Sequence, residues 1–374
     1  MSQIYKRGSK WAFKVSWYDD EKKRHWTTKS GFNTKREANA AATKLENQKN
    51  TVGISDKAKI SLTDFFENWI KIYKLGKLNK STELKYKRAS IEIKDFFGDK
   101  PLKNITRTEY QQFLNKYALN HYRDSVSRLN SYIRKCIKYA ADDGIVFRDV
   151  THDVDIGGKK SKDSSLKYLE LTEAEQLKQI CINNGSYLKI NYYLILAGLL
   201  TGCRIGELLA LTWKCVDLKN KTIRIEHSWD YHFENKLSST KTESSKRTIS
   251  ISSDLVVMFT NLKTEQIQYY LKHGYRDSLD LVFRNKFFQV PTDTGVNKLL
   301  SKILKSIDAT NIITFHGLRH THASILISKG VSIDYIAERL GHSTPRTTLN
   351  IYTHLLQNKR QKDDLKTLSV LDSL

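Results

Sequence analysis

The sequence predicts a multidomain protein with three folded parts. They are a small N-terminal α+β module with a three-stranded sheet and a helix, an all-α helical bundle, and a mainly α domain with a small antiparallel sheet. At 374 residues the chain is long for one hydrophobic core. The apolar residues recur with the period of a strand near the N-terminus and with that of a helix beyond it. A stretch rich in Gly, Ser and Lys follows. The predicted parts are residues 1–55, 58–153, a linker at 154–165, and 166–374.

Charge and cysteine content narrow the class of partner. Lys and Arg number 63 against 40 Asp and Glu, a net charge of +23, so nucleic acid or an anionic membrane surface is expected. The longest apolar run, residues 192–200, is far shorter than the roughly 20 residues that span a bilayer. The N-terminus lacks the apolar segment of a secretory signal, and four cysteines without a CxxC pair indicate reduced thiols. We therefore expect a cytoplasmic protein without membrane partners.

The first module alternates apolar and polar residues, as half-buried strands do. The segment KWAFKVSWY places Phe13 and Val15 on one side of a strand, and KRHWTTK predicts a second strand. Residues 4–6 predict a third. Thr34 and Glu37 form a capping box, which begins a helix whose alanines can cover the sheet.

This module also carries an excess of positive charge. Residues 1–59 contain 14 Lys or Arg and 6 Asp or Glu, a balance of +8. Such an excess is either a solvated face or a surface for DNA, whose major groove admits a β-ribbon. On the second interpretation the residues expected to contact DNA are Lys10, Lys14, Arg24, Thr27 and Lys29.

The second part reads as four helices. Ser61 precedes the first, Gly98 ends the second, Thr106 and Glu109 form a capping box at the third, and the fourth stops near Gly144. A basic bundle of this kind can grip a duplex through phosphate contacts. The residues expected to make them are Lys80, Lys87, Arg88, Arg123 and Arg128.

In the third part, Thr172 and Glu175 predict a capping box at the first helix. Within TGCRIGELLAL, Arg204 and Glu207 are three residues apart and share a helix face. They form either an ordinary ion pair or an arginine that its carboxylate aims at an anion, which the planar guanidinium suits. Antiparallel strands follow, and Lys241 lies in the connection TKTESSKR, where a lysine is usually solvated.

Residues 314–352 supply groups that can bind and attack a phosphodiester. His316 and Arg319 share a face near the start of one predicted helix. His342 follows the glycine that ends the next helix, and a Thr-Pro pair begins a third. Tyr352 lies two turns into that third helix. The segment therefore offers two imidazoles, a guanidinium and a phenol.

Two other interpretations of this segment stay open. Tyr352 can be a core residue that packs beside Leu349 and Leu356. The histidines of HGLRHTH can bind zinc, because two of them are four residues apart on a helix. No acidic or cysteine ligand accompanies them, however, and the neighbouring Arg319 would repel a cation. We therefore expect neither a metal nor another cofactor.

Six residues, in chain order, resemble the catalytic set of the tyrosine recombinase family, in particular the integrases of phages and conjugative transposons: Arg204, Lys241, His316, Arg319, His342 and Tyr352. The motifs TGCRIGELLAL, HGLRHTHAS and LGHSTPRTTLNIYTH carry the match, which covers the whole chain. The N-terminal sheet resembles an arm-type DNA-binding domain and the bundle a core-binding domain. One departure is Phe315, where many members have proline, and we expect it only to adjust the helix start.

The resemblance implies the tyrosine recombinase fold and a covalent mechanism. Tyr352 would attack a DNA phosphate, form a 3′-phosphotyrosyl bond and free a 5′-hydroxyl. A phenol has a pKa of about 10 and needs help at neutral pH. His316 would accept its proton, and Lys241 would protonate the departing 5′-oxygen.

The same resemblance assigns the remaining roles. Arg204 and Arg319 would bind the non-bridging phosphate oxygens and stabilise the transition state. His342 would add a hydrogen bond to that phosphate, and Glu207 would support the site. The bond energy is kept in the phosphotyrosine, so neither ATP nor a metal is required.

The implied partners are double-stranded DNA at core-type and arm-type attachment sites, a homotetramer on that DNA, a DNA-bending host factor and an excisionase. The C-terminal tail would dock on a neighbouring protomer or cover its own domain. The expected function is a site-specific integrase that inserts and excises a phage or mobile element, and the resemblance implies that it acts in the cytoplasm of the bacterial host cell, associated with the nucleoid.

Two alternative functions would require different properties of the chain. A type IB topoisomerase-like enzyme would relax DNA as a monomer, and a non-catalytic architectural protein would use its tyrosine structurally. The arm-like module favours the integrase, because a second DNA-binding surface lets one protein bridge separate sites. The intact set of six residues argues against the architectural protein.

Overall fold

The computed structural model describes residues 2–18, 24–51, 60–146, 148–160, 168–231, 235–239, 245–346, 348–349 and 372. The chain divides into two compact units, residues 1–161 and residues 162–374. Within the described ranges, every helix is too short or too polar to cross a membrane.

The first unit begins with an antiparallel sheet followed by a helix. Its elements are β1 (Gln3–Arg7), β2 (Lys10–Tyr18), β3 (Arg24–Phe32) and α1 (Lys35–Thr51). The strands pair in the order β1-β2-β3, which confirms the predicted three-stranded sheet. Thr34 Oγ1 caps α1 by accepting from the Glu37 N–H at 3.2 Å. The Glu37 carboxylate accepts from the Asn33 N–H at 3.0 Å, one residue before the position that the predicted capping box gives it.

The strand register decides which residues face α1. Phe13 lies opposite Lys29, and Val15 lies opposite Thr27. Phe13 and Val15 are buried together with Ala42 of α1. Residues directly opposite each other in an antiparallel pair share a face. Thr27 and Lys29 therefore belong to the face that α1 covers.

The same unit contains the four predicted helices. They are α2 (Leu62–Tyr73), α3 (Lys80–Phe97), α4 (Arg107–Ala118) and α5 (Arg123–Asp142). Ser61 Oγ caps α2, Thr106 and Glu109 form the reciprocal capping box of α4, and Gly98 ends α3 at φ 54°. Trp69 and Tyr110 are among the largest fully buried side chains of the bundle.

The second unit is mainly helical with two small antiparallel sheets. Its helices are α6 (Leu171–Asn184), α7 (Ile190–Thr201), α8 (Ile205–Leu209), α9 (Ser253–Lys272), α10 (Asp293–Ser306), α11 (Phe315–Ser328) and α12 (Ile333–Leu340). Its strands are β4 (Val216–Asp217), β5 (Thr222–Ile225), β6 (His227–Asp230), β7 (Lys236–Ser239) and β8 (Arg247–Ser250). They pair as β4-β5-β8 and β6-β7. The apolar helix α7 is buried along most of its length and packs against α6, α10 and α11.

The start of α6 differs from the predicted one. Its N-cap is Glu170, which forms a capping box with Glu173, so the predicted box of Thr172 and Glu175 is wrong. Glu173 is also held from outside the helix, because its Oε1 accepts from the Thr310 N–H at 2.7 Å. Such a long-range contact leaves no trace in local spacing.

Three helices of this unit meet at Gly202. The residue ends α7 in the left-handed region at φ +68°. A Cβ there would lie 2.7 Å from Leu340 Cδ2 and 2.8 Å from His322 Cδ2. Only glycine satisfies both the backbone conformation and the close approach of α11 and α12. Arg204 follows two residues later.

Candidate active site

Arg204 is the N-cap residue of α8, and Glu207 lies in the first turn. The Arg204 N–H donates to Glu207 Oε2 at 2.9 Å, and its Nη1 donates to Oε1 at 2.7 Å. The Arg204 side chain is 41% exposed, whereas that of Glu207 is 4% exposed. The buried carboxylate therefore holds a guanidinium that still reaches solvent.

A second arginine, which the sequence analysis missed, binds the same carboxylate. Arg247 begins β8, and its Nη2 and Nη1 donate to Glu207 Oε2 at 3.0 Å and Oε1 at 3.3 Å. Its Nε donates to the Arg339 carbonyl at 2.7 Å and its Nη1 to the Ser245 carbonyl at 2.9 Å. Arg247 thus joins β8, α8 and α12. The sequence did contain a sign that Arg247 is buried, because strand alternation puts it on the same face as the buried Ile249.

The two arginines keep Glu207 ionised. Burial raises the pKa of this carboxyl, but the positive charges of Arg247 and Arg204 and their hydrogen bonds outweigh it, so the net pKa is lowered. The carboxylate is therefore a fixed structural anion at neutral pH. Glu207 thus joins α8 to β8, and its supporting role in the site stays a prediction.

Arg319 of α11 is almost fully buried, at 3% exposure. Its Nη1 donates to the Gly202 carbonyl at 2.9 Å, and its Nη2 donates to the Leu340 carbonyl at 2.6 Å. Among the described residues no carboxylate lies within ion-pair distance of it. Burial and the charge of Arg204 lower its pKa to about 10, so it stays charged at pH 7. The site holds a buried cation that backbone carbonyls orient and that lacks an anion of its own.

Two predicted histidines belong to the same electrostatic cluster. Desolvation and the charges of Arg319 and Arg204 lower the pKa of His316. His342 follows Gly341, which ends α12, and burial together with the same arginines lowers its pKa to about 4. Both imidazoles are thus neutral at pH 7, and each can accept one proton and donate another.

The structure gives His322, one of the three histidines considered for zinc, a structural role. Its Nε2 accepts from Arg339 Nε at 3.0 Å, and its Nδ1 lies 3.0 Å from the Leu199 carbonyl. Both ring nitrogens are therefore occupied. Among the described residues there is no group of three His, Cys, Asp or Glu side chains that could hold a metal ion.

The remaining two members of the set, Lys241 and Tyr352, lie outside the described residues, as do Leu356 and all of the tail except Asp372. The segment before Tyr352 is described at Pro345, Arg346, Thr348 and Leu349, which are helical. Thr348 is fully buried there. Phe315, the departure from the common proline, is the first residue of α11, and its N–H donates to Asn297 Oδ1 at 2.7 Å, a bond that proline cannot make.

Three family models match successive segments of the chain. The model of the phage integrase family matches residues 167–359, more than half of the chain. The chain belongs to this family. The phage integrase N-terminal SAM-like domain matches residues 61–118, and an arm DNA-binding domain matches residues 3–49.

Individual relatives agree with this membership. The integrase of Staphylococcus phage L54a is 28% identical over 345 residues, which cover 84% of this chain and 94% of that protein. A tyrosine recombinase XerC-like protein of Caldanaerobacter subterraneus subsp. tengcongensis is 27% identical over 363 residues, 90% of each chain. The chain is a tyrosine site-specific recombinase, which confirms the predicted family and enzyme class.

Solved integrases share its fold. The Tn1549 transposon integrase in complex with a circular intermediate DNA superposes with a TM-score of 0.65 at 18% identity, covering 81% of this chain and 99% of that one. A lambda integrase tetramer bound to a Holliday junction gives 0.57 at 17% identity, covering 91% and 96%. The predicted tyrosine recombinase fold is confirmed.

In this integrase the residues predicted to contact DNA at the N-terminal sheet divide between its two faces. Lys14 Nζ lies 4.3 Å and Arg24 Cζ 4.4 Å from the ring centroid of Trp26, which is 40% exposed on the open face. Both are cation–π contacts. Thr27 and Lys29 lie on the face against which α1 packs, where Lys29 is nevertheless exposed. The open face therefore presents two cations around an exposed indole.

The bundle carries a basic cleft of about 190 Å³ between α3, α4 and α5. Arg88 and Arg128 line it together with Lys85, Ser125 and Tyr117. Glu92 lines the cleft as well, and burial together with its charge raises the pKa of Tyr117, while the charges of Arg128 and Arg88 oppose the rise. The other predicted contact residues are exposed: Lys10 on β2, Lys80 and Lys87 on α3, and Arg123 on α5.

Proposed function

We propose that this recombinase integrates and excises a mobile DNA element by cutting and rejoining strands through a 3′-phosphotyrosyl intermediate. The observation that carries the proposal is the imbalance of charge in the site. Among the described residues, Arg204 and Arg247 share one carboxylate, that of Glu207, and Arg319 has no ion-pair partner. Burying a charge without a counter-ion is costly. A phosphodiester supplies the anion that this cluster lacks.

In this mechanism Arg204 and Arg319 bind the phosphate in different ways. Arg204 is exposed enough to reach the phosphate, and Arg319 is fixed by the carbonyls of Gly202 and Leu340. Donors held in place before the reaction stabilise the developing charge without reorganising. Both would bind non-bridging oxygens of the pentacoordinate transition state.

The proton transfers follow from the neutral state of the histidines. Tyr352 would attack phosphorus, its oxygen forming the new P–O bond while the bond to the 5′-oxygen breaks. His316 would take the phenolic proton, a role that its lowered pKa supports because the ring is unprotonated at pH 7. Lys241 would protonate the leaving 5′-oxygen. Attack by a 5′-hydroxyl of the partner strand reverses these steps.

Outside the site, we propose that an arm-type domain at 1–55, a core-binding domain at 58–153, a linker at 154–165 and a catalytic domain at 166–374 divide the DNA contacts. The open sheet face around Trp26 would bind arm-type sites, and the basic cleft at Arg88 and Arg128 would bind core-type phosphates. A homotetramer is the proposed assembly, by analogy with the lambda integrase tetramer on its Holliday junction. A DNA-bending host factor and an excisionase would assist.

The test is covalent trapping on a nicked duplex that carries the core site of the element. The full chain, in EDTA, is expected to form a protein–DNA adduct that survives denaturing electrophoresis. Tyr352→Phe should abolish the adduct and keep the gel shift, because the ring remains and only the nucleophilic oxygen is lost. An adduct from Tyr352→Phe would show that another residue attacks. Relaxation of a plasmid without any core site would favour the topoisomerase-like alternative.

The arginine roles need a separate measurement. Arg204→Ala and Arg319→Ala are expected to lower the cleavage rate by at least about a hundredfold, as loss of an oxyanion donor does. DNA affinity should change far less, because many other phosphate contacts remain. Equal losses in cleavage and binding would mean that these arginines mainly anchor DNA.

A further inference from the structure

The contact between His342 and Thr348 extends the proposed mechanism. Thr348 Oγ1 lies 2.7 Å from His342 Nδ1, and Thr348 is fully buried. Within the described part of the chain, His342 Nε2 has no hydrogen-bond partner. The ring is thus oriented with one nitrogen on the threonine and the other available for a ligand.

The geometry points to Thr348 as a positioning residue. We propose that, in the DNA complex, its hydroxyl donates to His342 Nδ1 and thereby holds the imidazole in the tautomer with its proton on Nε2. This inference rests on the proposed function, in which His342 donates a hydrogen bond to the scissile phosphate.

The tautomer matters because a neutral imidazole has a single N–H. If Nδ1 accepts from Thr348, the proton is on Nε2 and can be donated to a phosphate oxygen. If Nδ1 instead donates to Thr348, Nε2 presents a lone pair, which a phosphate oxygen repels. Protonating both nitrogens is disfavoured, because burial and then the charges of Arg319, Arg204 and Arg247 oppose a positive charge on this ring. A phosphate at Nε2 therefore selects the tautomer with its proton on Nε2, and the Thr348 hydroxyl, which can donate as well as accept, stabilises that tautomer by donating to Nδ1.

Thr348 also links two parts of the site. It belongs to the helical stretch that leads in sequence to Tyr352, four residues later. His342, in contrast, follows the end of α12, whose last carbonyl accepts from Arg319. One hydrogen bond thus joins the phosphate-binding end of α12 to the segment that carries the nucleophile.

The test compares Thr348→Val, which keeps the branched shape but removes the hydroxyl, with Thr348→Ser, which keeps the hydroxyl. Single-turnover cleavage of the nicked duplex should fall about tenfold in Thr348→Val, the loss expected when one hydrogen bond no longer acts. Thr348→Ser should recover most of the rate, and DNA affinity should change less than about twofold in both. A normal rate in Thr348→Val, or an equal loss in Thr348→Ser, would overturn the proposal.

A double-mutant cycle separates positioning from fold stability. In a His342→Gln background, adding Thr348→Val should cause little further loss, because the hydroxyl no longer has its ring to orient. A full tenfold loss in that background would show that Thr348 acts through packing and would overturn the inference.

A direct readout comes from ¹⁵N-labelled histidine in the protein bound to a half-site duplex, with the His342 signals assigned from His342→Gln. Nε2 should show the shift of a protonated nitrogen and Nδ1 that of an unprotonated one, and the reverse pattern would contradict the proposal. A wild-type chain without any adduct would overturn the proposed function and this inference together. Normal trapping with a normal Thr348→Val rate would overturn this inference alone.

Discussion

The pair of Glu207 and Arg247 holds α8 on β8, and its removal should weaken the whole catalytic unit. Their side chains are 4% and 5% exposed, so water screens the interaction little. Arg247→Met removes the guanidinium while keeping an unbranched apolar stem. Breaking a buried ion pair by removing one partner costs about 3–5 kcal/mol. Because Arg204 stays 2.7 Å from the same carboxylate, we expect the lower limit, about 3 kcal/mol.

Hydrogen exchange on the full chain measures this loss of stability segment by segment. A change of about 3 kcal/mol corresponds to roughly a hundredfold lower protection, since 1.4 kcal/mol is a factor of ten. The decrease is expected in peptides that cover α8 and β8. Peptides from α2 to α5 serve as the internal control, because they belong to the other compact unit, and their protection should stay unchanged.

The double variant Arg247→Met with Glu207→Gln tests the electrostatic cause. Replacing both partners leaves no buried charge unpaired, so protection should recover by at least about half of the loss in free energy. Unchanged protection in Arg247→Met would mean that Arg204 alone satisfies Glu207. A double variant no better than the single one would refute the reasoning, because lost packing and not lost charge would then explain the effect.

Three further predictions concern acid stability, packing and the arm-type surface. Burial lowers the pKa of His322 to about 3, below its unfolded value of about 6.5, so its stabilising contribution is complete above pH 6.5 and declines as the pH falls toward 3. At pH 5 the stability lost through His322 is about 2 kcal/mol relative to neutral pH. His322→Gln should therefore remove most of the acid sensitivity in thermal melts. A variant with the same pH profile as the wild type would contradict this prediction. Gly202→Ala should lower the melting temperature more than Gly330→Ala, because both have positive φ but only Gly202 has neighbours within 4 Å; equal shifts would refute the clash. Lys14→Ala should weaken binding to an arm-type duplex by about fivefold or more, and Lys29→Ala should weaken it less. Each variant removes one charge, but only Lys14 is on the open face. Equal effects in a salt-matched gel shift would contradict this prediction.

Local sequence signals predicted the elements well where the decisive contacts are local. Ser61, Thr106 and Gly98 mark helix ends through bonds within a few residues, and the structure has these ends. The same reasoning failed at α6, where Glu173 is engaged by a distant backbone N–H. Spacing alone cannot distinguish two overlapping capping patterns when a remote segment decides between them.

The site was predictable only in part for the same reason. Arg204, the neighbouring pair His316 and Arg319, and His342 come from three separate segments of the sequence, yet their charges belong to one cluster. Their chemistry and order in the chain allowed the resemblance to be seen. Strand alternation puts Arg247 on the face of the buried Ile249, but it does not identify the partner of the guanidinium, so the link to Glu207 was visible only after folding.

By itself, the sequence determined the basic character, the family and the identity of the candidate residues, because these depend on composition, period and order along the chain; the division into three parts stays a prediction beside the two compact units of the structure. The tertiary structure decided which charges neutralise one another, which sheet face is open and which histidine is structural. Those properties depend on distances between residues remote in sequence. Glu207 is an example. Local spacing predicted its pair with Arg204, and the structure shows that it also binds Arg247 of β8, forty residues away.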